Sequence, residues 1–321
     1  MFNDRELITM DLRISILIPT YNQPLYIKRS VDSALAQDYP NIEVIVSDDS
    51  SSDDTKNILE EITDKRFKYI RNNPRLGRVE NYRTCLYKYS TGSWALNLDG
   101  DDYLTDPHFI SDAVNLIESF NDKNLVFVQA GGYLIDKDGS KTGQRMPKIK
   151  TEHCIVSGKQ YVCDFAKKRR FLHLTSLYNT ATAKSIDFYR YDILSTDLES
   201  FLRLALLGNV ALLNKNVGVW FQHGKNTSSS SSINKKLENT LWIDSVCDFA
   251  LQTKTLTKFK ANIWCYIVKQ QELTGHFMVE ISESKNRLKT LWWIFVHYPA
   301  TFFFPVFVKK LIGYNFRQLL G

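Results

Sequence analysis

The feature that most constrains this chain is an alternation that fills its first half. Short, wholly apolar runs are each followed by a segment with apolar residues at helical spacing. "ISILI" (Ile14 to Ile18) is closed by Pro19 and reads as a buried strand ending at a breaker. "NQPLYIKRSVDSALAQ" then sets Ile27, Val31, Ala34 and Leu35 on one helical face, with Asn22 as candidate cap and Pro24 near the first turn. The pattern repeats. "IEVIV" is a strand and "TKNILEEI" a helix, "FKYI" a strand and "VENYRTCLYKY" a helix. "WALNL" is a strand and "PHFISDAVNLIESF" a helix, and "LVFVQAGGYLI" is a further strand. Strands without polar alternation, separated by helices, predict an α/β fold. Its sheet is mostly parallel and covered on both faces.

Such a sheet needs a large core. A chain of 321 residues that is 44% hydrophobic can supply one. Function in such sheets gathers beyond the carboxyl ends of the strands. Three informative loops lie there: "PTYN" after the first strand, "SDDSSSDD" after the second, and "NLDGDDYLTD" (Asn97 to Asp106) after the fourth. The last crowds Asp99, Asp101 and Asp102 together. Either a solvated turn capping the next helix or a bound cation compensates that charge. Oxygen-rich sites of this kind suit Mg²⁺ or Mn²⁺, completed by water and substrate phosphate.

Several readings fall away. No G-x-G-x-x-G follows a strand and no G-x-x-x-x-G-K-[ST] occurs, so a Gly-rich phosphate cradle is absent. A nucleotidyltransferase with such a loop after the first strand is disfavoured by "PTYNQP". An EF-hand needs Glu at the twelfth position of its loop. Counted from Asp99, that position holds Ile110. The net charge of +6 suits an anionic small molecule or a membrane surface and does not argue for nucleic acid. Cys85, Cys154, Cys163, Cys247 and Cys265 include no C-x-x-C pair. A zinc site or disulfide framework is therefore not expected, and a reducing compartment is. "MFNDRELITMDLR" shows no secretory h-region.

Taken together, "SILIPTYNQPLYIKRSVDSALAQDYPNIEVIVSDDSSSDDT", "RLGRVENY", "TGSWALNLDGDDYL", "TDLESFLRLALLG" and "FQHG" resemble the family-2 inverting glycosyltransferases of GT-A fold. The resemblance spans roughly Arg13 to Lys225, in the family's order. It implies a GT-A-like fold and a nucleotide-diphosphate-sugar donor. By the resemblance, Pro19 and Tyr21 hold the donor's nucleotide, Tyr21 over a uracil, and Asp49 hydrogen-bonds the base. Asp48 and Asp53 read as loop or cap residues. Arg78 lies near the donor phosphates, or is a solvated residue in a first helical turn. Asp101 is the main ligand of a Mn²⁺ or Mg²⁺ ion, with Asp99 acting through water or the ribose. His223 reaches the metal or the diphosphate. Where relatives often carry an Arg, this chain has Phe221, so a phosphate contact is lost or passes to Lys225.

Asp197 matches the catalytic base. The family's acidic pair is here Thr196-Asp197, so its first member is missing. Thr196-Asp197-Leu198-Glu199 also reads as a capping box at the start of an amphipathic helix. The reaction implied is a single displacement that inverts the anomeric centre and makes a β-glycoside.

The region from Thr151 to Leu213 is less regular. "VALLNKNVGVWFQHGKNTSSSSSINKK" reads as a mobile loop by composition, with Thr227 to Ser232 as a lid or a plain linker. A boundary near Ile233 separates a catalytic domain (1–233) from a helical, aromatic and basic region (234–321). Leu291 to Val308 is almost wholly apolar and just long enough to span a membrane, but His297, Pro299 and Pro305 oppose a spanning helix. Its tryptophans, phenylalanines and flanking lysines suit peripheral contact with a membrane, or a helical cap on the core. The expected setting is the inner, cytoplasmic face of the cell membrane. There a sugar would be added to a lipid-linked glycan for O-antigen or capsule. "KKRR" (Lys167 to Arg170) is a candidate contact for the acceptor's pyrophosphate, or a solvated basic face. The competing class is a non-catalytic nucleotide-sugar-binding or membrane-associated scaffold protein, which has no need of Asp197.

Overall fold

The computed structural model describes residues 12–49, 54–120, 122–147, 149–168, 171–224, 226 and 232–313. Asp53, Lys225, Arg169, Arg170 and the segment 227–231 of the expected lid lie outside the described residues. The chain divides into two compact units. One holds Met1–Asp192 and Thr196–Asn226, the other Ile193–Ser195 and Thr227–Gly321.

The first unit is α/β, as the alternation predicts. Its first half is β1 (Ile14–Thr20), α1 (Ile27–Leu35), β2 (Ile42–Asp48), α2 (Thr55–Leu59), β3 (Phe67–Arg71), α3 (Arg78–Thr84), β4 (Trp94–Asn97), β5 (Tyr103–Leu104) and α4 (Phe109–Phe120). A π-helical turn, Cys85–Tyr89, extends α3. The second half is β6 (Leu125–Asp136), β7 (Lys141–Arg145), β8 (His153–Ser157), α5 (Gly158–Lys168), β9 (Ser176–Asn179), α6 (Thr180–Ser185), α7 (Thr196–Ala205) and β10 (Asn209–Gln222). The strands form one sheet in the order β3-β2-β1-β4-β9-β6-β10-β5, with β7 beside β6 and β8 beside β10.

Strands β1 to β4 pair in parallel, and every residue of β1 and β4 is buried. Burial on both faces is why these strands carry no polar alternation. Beyond β4 the sheet is mixed: β9 runs antiparallel to β4 and β6, while β6 and β10 are parallel. Pro19 does not end β1. Its carbonyl accepts from Gly100 N–H (3.3 Å), on the side where pairing with β4 has stopped at Asn97. Its missing N–H therefore breaks no ladder bond.

Three local expectations are corrected. Asn22 is not the cap of α1: it lies at φ 53°, and Tyr26 occupies the N-cap after an intervening turn. The left-handed conformation is one that Asn tolerates. Val210 to Gln222 is not a mobile loop but most of the longest strand, β10. Its Asn, Lys and Gly residues hide two apolar stretches, and Gly218 is there for packing. A Cβ on Gly218 would fall 2.4 Å from Leu174 Cδ1. The capping box does not form: among the described residues Thr196 Oγ1 is buried without a hydrogen-bond partner, and Glu199 bonds Arg190 and Arg203 instead.

The second unit is helical: α8 (Ile233–Glu238), α9 (Leu241–Gln252), α10 (Lys258–Glu283), α11 (Arg287–His297), α12 (Pro299–Phe302) and α13 (Pro305–Gly313). Leu273, Phe277 and Ile281 recur at helical spacing on α10 and pack with Ile294, Phe304 and Phe307. The apolar tail is broken at Tyr298 and again before Pro305, where the prolines start new helices. Among the described residues, no helix is long and apolar enough to cross a membrane.

Candidate active site

The sheet reverses its order at β1, with β2 on one side and β4 on the other. Such a switch point opens a crevice outside the strands' carboxyl ends. Pro19, Thr20 and Tyr21 leave β1 there, and Asp99 to Asp102 leave β4. The two turns touch. A Cβ on Gly100 would meet Thr20 Oγ1 and Gln23 Oε1, each at 2.6 Å, so only glycine lets the acidic turn close on β1.

The two-residue strand β5 explains how distant sequence reaches this turn. Tyr103 and Leu104 pair antiparallel with Val219 and Gly218 of β10. That register sets Phe221 and His223 against the aspartates. Asp102 accepts from the Phe221 N–H (2.9 Å). His223 Nε2 lies 2.7 Å from Asp101 Oδ2, which also accepts from Asn226 Nδ2 at 3.2 Å. Tyr26 stacks on His223, with ring centroids 4.9 Å apart. Arg29 donates to the Asp101 carbonyl (3.1 Å), and its guanidinium lies between the rings of Tyr103 and Phe221. Phe221 thus packs on Arg29.

Asp99 accepts from the Tyr82 hydroxyl (2.8 Å). Burial and the neighbouring Asp101 push the Asp99 carboxyl up to about 7. The same two causes, burial first, hold Asp102 well above the ordinary carboxylate range. The crowding evident in the sequence is therefore real in three dimensions: burial and neighbouring charge disfavour the ionised forms of Asp99 and Asp102.

Asp197, second residue of α7, has no hydrogen bond or ion pair among the described residues, yet its charge reaches this cluster. It raises the pKa of Asp99, Tyr82, Tyr189 and His173. His173 bonds the Tyr189 hydroxyl (2.6 Å), and burial holds its imidazole down at about 4. Arg78 opens α3, near the Tyr82 ring (5.7 Å), and lowers the pKa of Asp99 and His173. The structure thus brings Asp99, Asp101, His223, Arg78 and Asp197 into one electrostatic neighbourhood.

Asp49 and Tyr21 form a second group, at the end of β2 and the turn after β1. Both carboxylate oxygens of buried Asp49 are in use. Oδ1 accepts from Leu76 N–H (2.7 Å) and Oδ2 from Gly77 N–H (2.8 Å). Arg75 pairs with Asp49 at 3.5 Å and lies 3.7 Å from the centroid of the Tyr21 ring. Asp48 accepts from the Tyr69 hydroxyl (2.7 Å) and is structural. Arg75, Arg29, Tyr26, Tyr82, His173 and Asn226 were not legible as site residues. Arg75, Arg29, Tyr26 and Tyr82 lie inside quoted motifs without being singled out, Asn226 lies just past "FQHG", and His173 lies in no family motif.

A metal has to fit these side chains. Among the described residues no group of three or more His, Cys, Asp or Glu is set to hold an ion. Asp101 and His223 are, however, nine-tenths or more buried at 2.7 Å. That separation requires a proton between them or a cation in its place. Carboxylate and imidazole together, with two further strained carboxyls beside them, fit a divalent ion that takes few protein ligands.

Comparison with known proteins agrees with this architecture. The family model for glycosyl transferase family 2 matches residues 15–188. The Escherichia coli UDP-Glc:alpha-D-GlcNAc-diphosphoundecaprenol beta-1,3-glucosyltransferase WfaP is 39% identical over 130 residues, 40% of this chain and 49% of WfaP. Chondroitin synthase of Pasteurella multocida is 30% identical over 67% of this chain and 21% of its own length. The chain thus spans about half or less of these relatives' lengths. The crystal structure of S. aureus TarS 1–349 in complex with UDP-GlcNAc superposes with a TM-score of 0.63. The superposition covers 83% of this chain and 73% of that one, at 22% identity, and establishes the GT-A fold. With more than half of its residues matched by the family model, this chain belongs to glycosyl transferase family 2.

Proposed function

We propose that the chain is an inverting glycosyltransferase. It moves a sugar from a nucleoside-diphosphate donor, a UDP-sugar by default, to a hydroxyl of a lipid-linked glycan, forming a β-glycosidic bond in O-antigen or capsule synthesis. The observation that carries this reading is the cluster at the strand-order reversal, where His223 meets Asp101, Asp99 lies beside it, and the charge of Asp197 is felt. WfaP's lipid diphosphate acceptor and UDP donor, and the UDP-sugar bound to TarS, are consistent with it.

In this reading Asp101 and His223 hold Mn²⁺ or Mg²⁺. The ion supplies charge neutralisation for the departing diphosphate. Arg78 adds a fixed positive charge near the same phosphates. Tyr21 and Asp49 hold the base, with Arg75 as the movable third wall: its guanidinium covers the Tyr21 face that a uracil would take. Asp197 accepts the acceptor hydroxyl's proton during attack on the anomeric carbon. Location on the inner face of the cell membrane, through the helical second unit, completes the reading.

The test is calorimetric titration of UDP, dTDP, GDP and CDP into the protein, with Mn²⁺ and with chelator. Metal-dependent binding of one diphosphate, lost in Asp101→Ala, is expected. Failure of folded protein to bind any of the four overturns the assignment.

A further inference from the structure

The second unit leaves large aromatic residues of α11 to α13 uncovered, in a segment whose own charges are all basic. On α11, Leu288, Trp292 and Phe295 stand at i, i+4 and i+7 and are exposed, Trp292 at 66%. The Trp292 and Phe295 rings lie 5.8 Å apart. Phe303 is 79% exposed between α12 and α13, and Ile312 on α13 is 69% exposed. These residues are not needed by the unit's own core. Ile294, Phe304 and Phe307 of the same segment already fill it against α10. Isolated exposed apolar residues need no explanation, but a run of large aromatics along consecutive helices does.

Within the segment the charges have one sign, the nearest acidic residues in sequence being Glu280 and Glu283 at the end of α10. From Ser284 to Gly321 the chain contains no Asp or Glu. Lys285, Lys289, Lys309 and Lys310 are exposed, with no ion-pair partner among the described residues. We infer that the outer face of α11 to α13 binds the surface of an anionic phospholipid bilayer, with Trp292, Phe295 and Phe303 at headgroup depth and the lysines on lipid phosphate. This deepens the membrane-location part of the proposed function and rests on it.

The observations favour that occupant. Trp and Phe flanked by lysine is the composition of an interfacial segment. A second copy docked face to face would set lysines against lysines, because a two-fold contact uses the same patch twice. Spanning is not open to these helices, since none is long and apolar enough. What remains is a segment that lies on the membrane plane, held jointly by apolar burial and by charge.

The test is co-sedimentation of the full chain with vesicles of phosphatidylcholine alone and with added phosphatidylglycerol, followed by quenching of tryptophan fluorescence with brominated lipid. Binding that requires phosphatidylglycerol and weakens in high salt is expected. Lys309→Gln and Lys310→Gln should each weaken partitioning roughly fivefold, the effect of one basic residue near an anionic surface. Trp292→Ser with Phe303→Ser should abolish binding and lipid quenching. All four positions are exposed, so circular dichroism and nucleotide titration should stay as in the parent. No vesicle binding overturns the inference, and so does equal binding to both lipid compositions. A dimer in sedimentation equilibrium that Trp292→Ser dissolves, without vesicle binding, assigns the face to a second copy instead. Nucleotide titration reports on the first unit alone, so failure of the transferase reading and failure of this one are separately visible.

Discussion

His223 Nε2 and Asp101 Oδ2 meet at 2.7 Å with both side chains nearly buried. Residues far apart in sequence are brought together here only because β5 pairs with β10. If this pair exchanges its shared proton for a cation, the metal stabilises the folded chain. Mn²⁺ at about a hundred times its Kd should add about 2.7 kcal/mol, by simple linkage. A thermal melt with and without Mn²⁺ reads this out. The shift should vanish in Asp101→Ala and shrink in His223→Ala. A wild-type melt that Mn²⁺ leaves unmoved removes the metal from the site.

Asp49 holds two backbone N–H groups, those of Leu76 and Gly77, through separate carboxylate oxygens. Hydrogen bonds to a charged group contribute about 1.5–3 kcal/mol each, and both half-buried donors would lose their partner. Asp49→Ala should therefore destabilise the chain by about 3 kcal/mol or more in urea unfolding, besides weakening nucleotide binding. Asp49→Asn keeps one acceptor and should lose less stability. It also releases Arg75, so the two variants separate the clamp from any contact to a base.

Much of this site was legible because its turns leave strands buried on both faces. Such strands announce themselves as apolar runs, and the polar residues just beyond them stand out. The loops that carry Asp99 to Asp102 and Asp49 stand out that way, while the roles given to these residues come from the resemblance. Arg75 and Arg29 do not stand out, since their role comes from what tertiary folding sets beside them: the Tyr21 ring, and the rings of Tyr103 and Phe221. Strand β10 was hidden for the opposite reason, because Asn, Lys and Gly within it mimic a loop. Gly218 is required by the close approach of Leu174, not by flexibility. The capping box failed because Glu199 has stronger partners than the local backbone. No periodicity in the sequence reveals that Arg190 and Arg203 converge on it.

Glu199 is fully buried in α7, 3.3 Å from the equally sequestered Arg203 and 3.1 Å from Arg190. Breaking a buried pair leaves an uncompensated charge, at a cost of about 3–5 kcal/mol. Glu199→Ala should lose stability on that scale. Glu199→Leu combined with Arg203→Met should recover most of it, because the orphaned charge goes too. Urea midpoints of the two variants decide this. Equal losses in both would mean that the pair contributes shape alone.

His173 gives the chain an acid limit. Burial holds its folded pKa at about 4, against 6.5 for an ordinary imidazole; Asp197 pulls upward and Arg78 downward. Above 6.5 both folded and unfolded states are neutral here and nothing is lost. Between 6.5 and 4 the unfolded chain takes a proton that the folded chain refuses, so stability falls by up to about 1.4 kcal/mol per pH unit. The full loss is about 3 kcal/mol. Asp99 and Asp102, whose carboxyls are held high, contribute a slope of the opposite sign in the same range, so the His173 contribution is read as a difference: across urea unfolding at pH 7, 5.5 and 4.5 the wild type should lose stability relative to His173→Gln at about this rate.

Asp197 is the residue on which enzyme and binding protein part company. Its carboxylate carries no structural hydrogen bond among the described residues, while its charge perturbs Asp99, Tyr82 and His173. A structural aspartate at a helix start would instead be tied to backbone N–H groups. Asp197→Asn keeps the shape and removes the base. Loss of a general base typically costs a factor of about 10² to 10⁴, so sugar transfer should fall by that amount. Calorimetric affinity for the nucleoside diphosphate should stay within about twofold, because the proposed function puts donor binding on Asp101, Asp49 and Tyr21 rather than on Asp197. If transfer persists undiminished, proton acceptance belongs to another group. If nucleotide binding collapses too, Asp197 holds the donor or the fold rather than the acceptor's proton.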